Sequence, residues 1–339
     1  MSLAPTSLNP PPCKSATIAT RGSALALWQA QFVKSLLAAK GLASEPLVLK
    51  TTGDRVQDRF LHEIGGKGLF VKELEEALLD GRADFAVHSL KDMPAVVQPP
   101  FTLSAILPRH AATDVLILRH DVQARLKAPP ELSAADAAGL GSLTVGTGSL
   151  RRQAILKRAA PAWTCIGVRG NVDTRLRKLA AGEWEALILA EASLDRLAID
   201  GVSRHRLMPD WFIPCAGQGA LALEALGHHA LSPWLKDLGC AETTLAVTIE
   251  RSVLARLGGD CTMPFGCLAR RKDAATFEAS AAIYGPNGDI ATAYHQAPLG
   301  DLTSQDTKAF VSEMLRQLRA SGAAAVLLAL GIKAPAQWT

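Results

Sequence analysis

The first hundred residues alternate between a period of two and a period near 3.6, and this alternation limits the fold more than any other feature. TIATR reads as a strand. Ser23 then stands where an N-cap would, opening a helix with Leu25, Trp28, Phe32 and Leu36 along one face, and Lys40 with Gly41 supplies a basic last turn and a C-cap. PLVLKTTGD gives a second strand, GLFVKELEEALLDG a second amphipathic helix with Phe70, Leu74 and Leu78 at fourfold spacing, and ADFAVHSL a third strand. Strands interleaved with helices need crossover connections, which predicts an α/β fold with a mainly parallel sheet covered on both faces.

The pattern restarts after the Pro/Ala-rich connection KAPPELSAADAAG, with LTVGT, the helix SLRRQAILKRAA, WTCIGV, the helix NVDTRLRKLAAG, EALILA and EASLDRLAI. Two doubly wound units are expected, joined by one or more crossings. From about residue 242 the texture changes to a long helix, TTLAVTIERSVLARLGG, followed by TFEASAAIYGPNGDIATAYH. There Phe277, Ala279, Ala281 and Ile283 alternate before a Pro-Asn-Gly-Asp turn, the mark of an antiparallel hairpin. A final helix near 304–321 completes a smaller C-terminal α+β domain. At 339 residues, with 48% apolar and 20% charged, the chain is long enough for two or three such cores.

Compartment and partners follow from what is missing. The opening MSLAPTSLNPPPCKS lacks the basic start and apolar run of a secretory signal, and no stretch is long and apolar enough to span a bilayer, GAAAVLLALG being too short. A cytoplasmic protein with no membrane contact is expected. Cys13, Cys165, Cys215, Cys240, Cys261 and Cys267 are widely spaced, with no Cys-x-x-Cys pair, which argues against a disulfide framework and a structural zinc. His62 and His88 have no paired ligands, so no metal is expected. The net charge is only +4, but the arginines cluster, in SLRRQ, VRGNVDTRLRK and RHRL. Nucleic acid, anionic metabolites and a solvated surface all suit such clusters.

Several strand ends carry the candidate chemistry. ADFAVHSL runs into Lys91-Asp92-Met93-Pro94, where the proline keeps Met93 extended and the pair stands at a carboxyl-terminal strand end. It is either an acid/base and cation-stabilising device or an ordinary polar exit with a surface ion pair. Thr147-Gly-Ser-Leu-Arg-Arg sets Thr147 and the N-cap Ser149 before Arg151 and Arg152 in a first helical turn, where the dipole disfavours cations unless an anion gathers there. Arg169 and Arg175 repeat the arrangement, Arg21 and Ser23 follow the first strand, and Arg196 follows another. Guanidinium groups from four strand ends suit a ligand with several carboxylates, or phosphates. GGKGLF lacks the Walker spacing and reads as a mobile loop leading into a helix. In LGGDCTMPFGC the glycine turn gives Cys261 access, and Arg256 or the nearby helix favours thiolate; covalent attachment and simple burial both remain open for it, whereas Cys267 reads as packing.

Taken together, RGSALALWQA, GGKGLFVKELEEALL, AVHSLKDMP, GTGSLRRQAIL, RGNVDTRL, CAGQGALALE and GGDCTMPFGC resemble the hydroxymethylbilane synthase (porphobilinogen deaminase) family, in that family's order, from about residue 16 to 270. The resemblance implies two doubly wound domains like those of periplasmic binding proteins plus the small α+β domain. Residues 15–110 with 217–240 would form the first, 111–216 the second and 241–339 the third. It implies a transferase of porphyrin and haem biosynthesis that joins four porphobilinogen molecules head to tail into hydroxymethylbilane with loss of ammonia. A dipyrromethane cofactor, held as a thioether on Cys261, would act as primer. Asp92 matches the catalytic aspartate, which would stabilise the cation left by departing ammonia and help move protons. Lys91, Asp92, Thr147, Ser149, Arg151, Arg152 and Arg175 would bind the cofactor. Arg21, Ser23, Arg169, Arg175 and Arg196 would bind the incoming porphobilinogen. The protein is expected to act as a monomer without nucleic acid.

Two departures stand out. Asp260 places a negative charge beside the attachment thiol, and SLDRL replaces a glycine-containing form before Arg196. The competing reading is a non-catalytic anion-binding protein of periplasmic-binding architecture. A nucleic-acid binder stands behind both, because the arginines lack interleaved aromatics.

Overall fold

The computed structural model describes residues 10–55, 71–260, 263–298, 304–335 and 338. Phe70, His62, the GGKG loop and Cys261 lie outside the described residues.

Fourteen strands build three sheets among the described residues. The first sheet takes β1 (Ser15–Arg21), β2 (Ala43–Leu49), β3 (Phe85–Ser89) and β4 (Phe101–Ile106). The second takes β5 (Asp114–Leu118), β6 (Glu131–Leu132), β7 (Leu143–Gly146), β8 (Trp163–Ile166), β9 (Ala186–Ala190) and β10 (His205–Leu207). The chain then returns to the first sheet as β11 (Leu221–Leu226), and β12 (Phe265–Arg271), β13 (Thr276–Tyr284) and β14 (Ile290–Pro298) form the third.

The strand orders are β2-β1-β3-β11-β4 and β6-β10-β5-β9-β7-β8, so the first two sheets exchange the chain twice. Both sheets are mainly parallel, as expected, and each contains one reversed strand that local periodicity did not announce. In the first, β1 runs parallel to β2 and β3, but β11 is antiparallel to both β3 and β4. In the second, β5 is antiparallel to β9 and β10. The reversed strands are those that enter a sheet straight from the other one, and local periodicity carries no trace of that crossing.

Ser23 caps the Ala24–Ala39 helix, its side chain accepting from the Ala26 N–H, and Gly41 follows the C-cap at φ 80°. The face that meets the sheet is Ala26, Gln29, Ala30, Val33 and Leu37, whereas in the row Leu25, Trp28, Phe32 and Leu36, Trp28 is half-buried and Phe32 is exposed. Small residues let the helix lie close on the sheet, and Val33 and Leu37, both fully buried, each gain roughly 2 kcal/mol of transfer free energy. The supposed connection KAPPELSAADAAG holds β6 and a helix, Ala134–Gly139, whose Ser133 and Asp136 form a capping box. The second sheet also opens before that connection, with β5.

The C-terminal unit has three antiparallel strands where the sequence suggested two, because PFGCLA continues into β12. Phe277, Ala279, Ala281 and Ile283 are fully buried, as their alternation predicts, and pack with Phe310, Met314 and Leu318 of the Ser304–Ala320 helix. Cys267 is buried in the same core. Leu268, Ala282 and Tyr284 instead join the core of the second sheet beside Phe212 and Ile213, so the third unit is seated on the second.

Candidate functional site

The second crossing determines where Lys91 and Asp92 stand. β3 ends at Ser89 and the chain tightens into a 3₁₀ turn, Leu90–Asp92, with the Leu90 N–H donating to the Ala220 carbonyl and the Met93 N–H to the Leu90 carbonyl. Leu90 and Met93 are buried, while Lys91 and Asp92 are half-buried at the strand's carboxyl end. The motif Ala216-Gly-Gln-Gly-Ala presses against this turn. Gly217 (φ 75°) would set a Cβ 3.0 Å from Leu90 Cγ, and Gly219 (φ 85°) would set one 2.5 Å from the His110 carbonyl on the first crossing. Neither position tolerates a side chain, for reasons of both conformation and space.

Between these glycines Gln218, fully buried, ties three segments together. Its Nε2 donates to the Ala112 carbonyl at 2.6 Å and to Asp114 Oδ1 at 3.1 Å, and its Oε1 accepts from Lys91 Nζ at 3.4 Å. Asp114, also fully buried at the start of β5, is the centre of the arginine pair: Oδ2 accepts from Arg151 Nη2 and Oδ1 from Arg152 Nη2, both at 2.6 Å. Burial alone would raise the Asp114 carboxyl, but the Arg152 and Arg151 guanidinium groups overcome it and hold the group down to about 2. Arg151 Nη1 also donates to the Ile213 carbonyl and Arg152 Nη1 to the Ile188 carbonyl. Sequence reasoning took these arginines for free anion donors and missed Asp114. The available signal was an acidic residue at the head of the apolar run DVLIL.

The Leu150–Ala159 helix that carries the pair begins as predicted, with Ser149 as N-cap accepting from the Arg152 N–H. Thr147 is buried, and its hydroxyl accepts from the Ser149 N–H at 3.3 Å. Arg175, in the first turn and a half of the Val172–Ala180 helix, donates from Nε to the Gly170 carbonyl at 2.8 Å. Burial, then Arg152 and Arg169, lower its guanidinium to about 10, while Asp92 works in the opposite direction. It remains charged at neutral pH. The structure thus brings Lys91, Asp92, Arg151, Arg152, Arg169 and Arg175 into one electrostatic neighbourhood with Asp114. Arg21 ends β1 and Ser23 spends its hydroxyl on the helix cap, both at the same carboxyl edge of the first sheet. Arg196 is buried and donates to the Gly219 carbonyl at 2.7 Å. Cys261 lies outside the described residues, five positions past the end of the Ala241–Arg256 helix.

That helix reaches back to the crossings, which the sequence did not disclose. Glu250, fully buried, pairs with Arg109 Nη1 at 2.6 Å and accepts from the Gly217 N–H at 2.7 Å and the Ala269 N–H at 2.8 Å. Its neighbour Arg251 donates to the Pro94 carbonyl at 2.7 Å, two residues beyond Asp92. His88 is paired with Glu224 at 2.9 Å inside the first sheet.

The residues fit a ligand bearing several acids. Five cationic side chains, Lys91, Arg151, Arg152, Arg169 and Arg175, share this neighbourhood with two carboxylates, Asp92 and Asp114. The Nε atoms of Arg151 and Arg152 are buried without a hydrogen-bond partner among the described residues. A dipyrromethane, each ring of which carries carboxylates, is a ligand whose charge this excess of cations would suit.

The family description "Porphobilinogen deaminase, dipyromethane cofactor binding domain" matches residues 16–230, and "Porphobilinogen deaminase, C-terminal domain" matches residues 244–309. A porphobilinogen deaminase of Ralstonia nicotianae is 41% identical over 94% of this chain and 92% of that protein. Another, of Bordetella parapertussis, is 42% identical over 94% of this chain and 98% of its own length. Among solved structures, the Lactococcus lactis GlnP substrate binding domain 2 in open conformation is similar at a TM-score of 0.42 and 12% identity, over 67% of this chain and 88% of that one. With both of its family's domains matched in order and relatives alike along nearly its whole length, the chain belongs to the porphobilinogen deaminase family.

Proposed function

We infer that this chain is the transferase that deaminates porphobilinogen and joins four molecules of it head to tail into hydroxymethylbilane, in tetrapyrrole biosynthesis. The observation that carries the site assignment is the buried Asp114 carboxylate shared by Arg151 and Arg152 beside Lys91. It fixes two guanidinium groups in place and still leaves the neighbourhood positive. The non-catalytic anion binder is not favoured, because the family match continues through the C-terminal domain.

When bound, the dipyrromethane supplies a nucleophilic pyrrole α-carbon to which substrate is joined, and we assign its thioether to Cys261. Lys91, Thr147, Ser149, Arg151, Arg152 and Arg175 hold its carboxylates. Arg21, Ser23, Arg169 and Arg196 orient the acetate and propionate of the incoming porphobilinogen, with Arg175 serving both sets as the chain grows. Asp92 stabilises the positive charge that develops on porphobilinogen as its amine departs. It also takes up the α-proton released as each bond between pyrroles closes. Glu250 and Arg251 hold the crossings and the Asp92 turn from behind. The reading divides the chain into 15–110 with 217–240, 111–216 and 241–339, and has it act as a cytoplasmic monomer on a small molecule. No helix among the described residues is long and apolar enough to cross a membrane.

The test is the intact mass of the purified protein. An added dipyrromethane should map to the peptide containing Cys261, disappear in Cys261→Ala and persist in Cys267→Ala. A fully active chain of unmodified mass would refute the assignment.

A further inference from the structure

Arg196 is held differently from the other buried arginines. Arg151 and Arg152 each meet a carboxylate, whereas among the described residues no carboxylate lies within ion-pair distance of Arg196. Its sequence neighbour Asp195 is engaged elsewhere, at 2.5 Å from Arg204 and 3.5 Å from His110. Two groups hold the Arg196 guanidinium in their place. One is the Gly219 carbonyl on the second crossing, at 2.7 Å. The other is the indole of Trp28, whose ring centroid lies 6.0 Å from the guanidinium carbon. Trp28 belongs to the helix packed on the first sheet, and Arg196 ends the Glu191–Arg196 helix that follows β9 of the second, so this contact bridges the two units. The indole is itself backed by Phe32, with ring centroids 5.3 Å apart and planes 8° from parallel.

Both rings lie off the helix face that packs on the first sheet. A carboxylate partner would neutralise Arg196 and occupy the N–H edge that a substrate acid needs. An aromatic face restrains the flat guanidinium through its π surface and leaves that edge to donate. The Gly219 carbonyl takes one Nη2 hydrogen, the one hydrogen bond that Arg196 makes among the described residues, and a guanidinium has further N–H donors with which to meet an acid.

We propose that Trp28 is a positioning residue for porphobilinogen: its indole, braced by Phe32, holds the Arg196 guanidinium across the junction of the first two sheets, oriented to receive a substrate carboxylate. The proposal rests on the reading of Arg196 as a substrate ligand. It places a binding determinant of the second unit under the control of the first, so that any rearrangement between the two sheets changes how Arg196 is presented.

The experiment is a double-mutant cycle on the cofactor-loaded enzyme, with KM for porphobilinogen and kcat measured separately. Trp28→Leu should raise KM by roughly three- to thirty-fold, the size expected of a partly desolvated cation–π contact, with kcat changing far less. Trp28→Phe keeps an aromatic face and should recover most of the loss; it also serves as the probe should the leucine variant fold poorly. In an Arg196→Gln background, Trp28→Leu should add little further. An unchanged KM in Trp28→Leu, or a full additional penalty in the Arg196→Gln background, would overturn the role of Trp28. An unchanged KM in Arg196→Gln alone would instead overturn the substrate role of Arg196, whatever Trp28 does.

Discussion

Asp114 and Arg152 meet at 2.6 Å with no solvent reaching the carboxylate, and Arg151 takes the other oxygen at the same distance. The folded carboxyl value of about 2 lies below its ordinary 3.8. A depressed carboxyl value gives stability that is present above the unfolded value and lost as pH falls through the folded one. This contribution therefore disappears between about pH 4 and pH 2, and amounts to about 2 kcal/mol. Asp114→Asn should destabilise the protein at pH 7 by about 3 to 5 kcal/mol, since two guanidinium groups lose their buried partner. Unfolding free energies of the variant and the parent from urea titrations, compared from pH 7 downward, should converge by about 2 kcal/mol across that window. A constant gap would show that Asp114 is not the group responsible.

Asp92 is predicted to matter for turnover and not for folding. The bonds that shape its turn run from the Leu90 N–H to Ala220 and from the Met93 N–H to Leu90, and none uses the Asp92 carboxylate. Asp92→Asn should therefore fold, carry the cofactor mass and lose product formation by at least ~100-fold, the lower end of what a positioned acid/base group contributes. A variant with the cofactor mass intact and near-parent rates would remove Asp92 from the chemistry.

What the sequence disclosed was local. The Ser23 and Ser149 caps were legible because a cap is made by a side chain and an N–H two or three residues on. The burial of Phe277, Ala279, Ala281 and Ile283 was legible because a strand's period repeats within nine residues. The reversed directions of β5 and β11 were not, since direction depends on which sheet the chain has just left. Nor was the state of the arginines. Their spacing announced an excess of charge, but the neutralising carboxylate lies 37 and 38 positions before them, and the glutamine that links it to Lys91 lies after them, 104 positions from that carboxylate. Leu25, Trp28, Phe32 and Leu36 were legible as one face of a helix, but not which face meets the sheet, where the close approach of helix to sheet required Ala26, Ala30 and Val33.

Glu250 provides the last test, of how the C-terminal unit supports the site. One buried carboxylate receives Arg109 from the first crossing, the Gly217 N–H from the second and the Ala269 N–H from β12. Gly217 and Gly219 flank Gln218, so strain at Glu250 is transmitted to the groups that hold Asp114 and Lys91. Glu250→Gln keeps the volume but removes the charge opposite Arg109 and leaves one carboxamide oxygen where two carboxylate oxygens accepted. The expected cost is about 3 kcal/mol, because a partly buried guanidinium loses its counter-charge and a buried N–H loses its acceptor. Hydrogen exchange should show the loss spreading to the amides of residues 217–220 and of the Leu90–Asp92 turn, ahead of the third unit's core around Phe277 and Phe310. Destabilisation confined to the third unit, with 217–220 as protected as in the parent, would mean that Glu250 stabilises its own unit and does not hold the crossings.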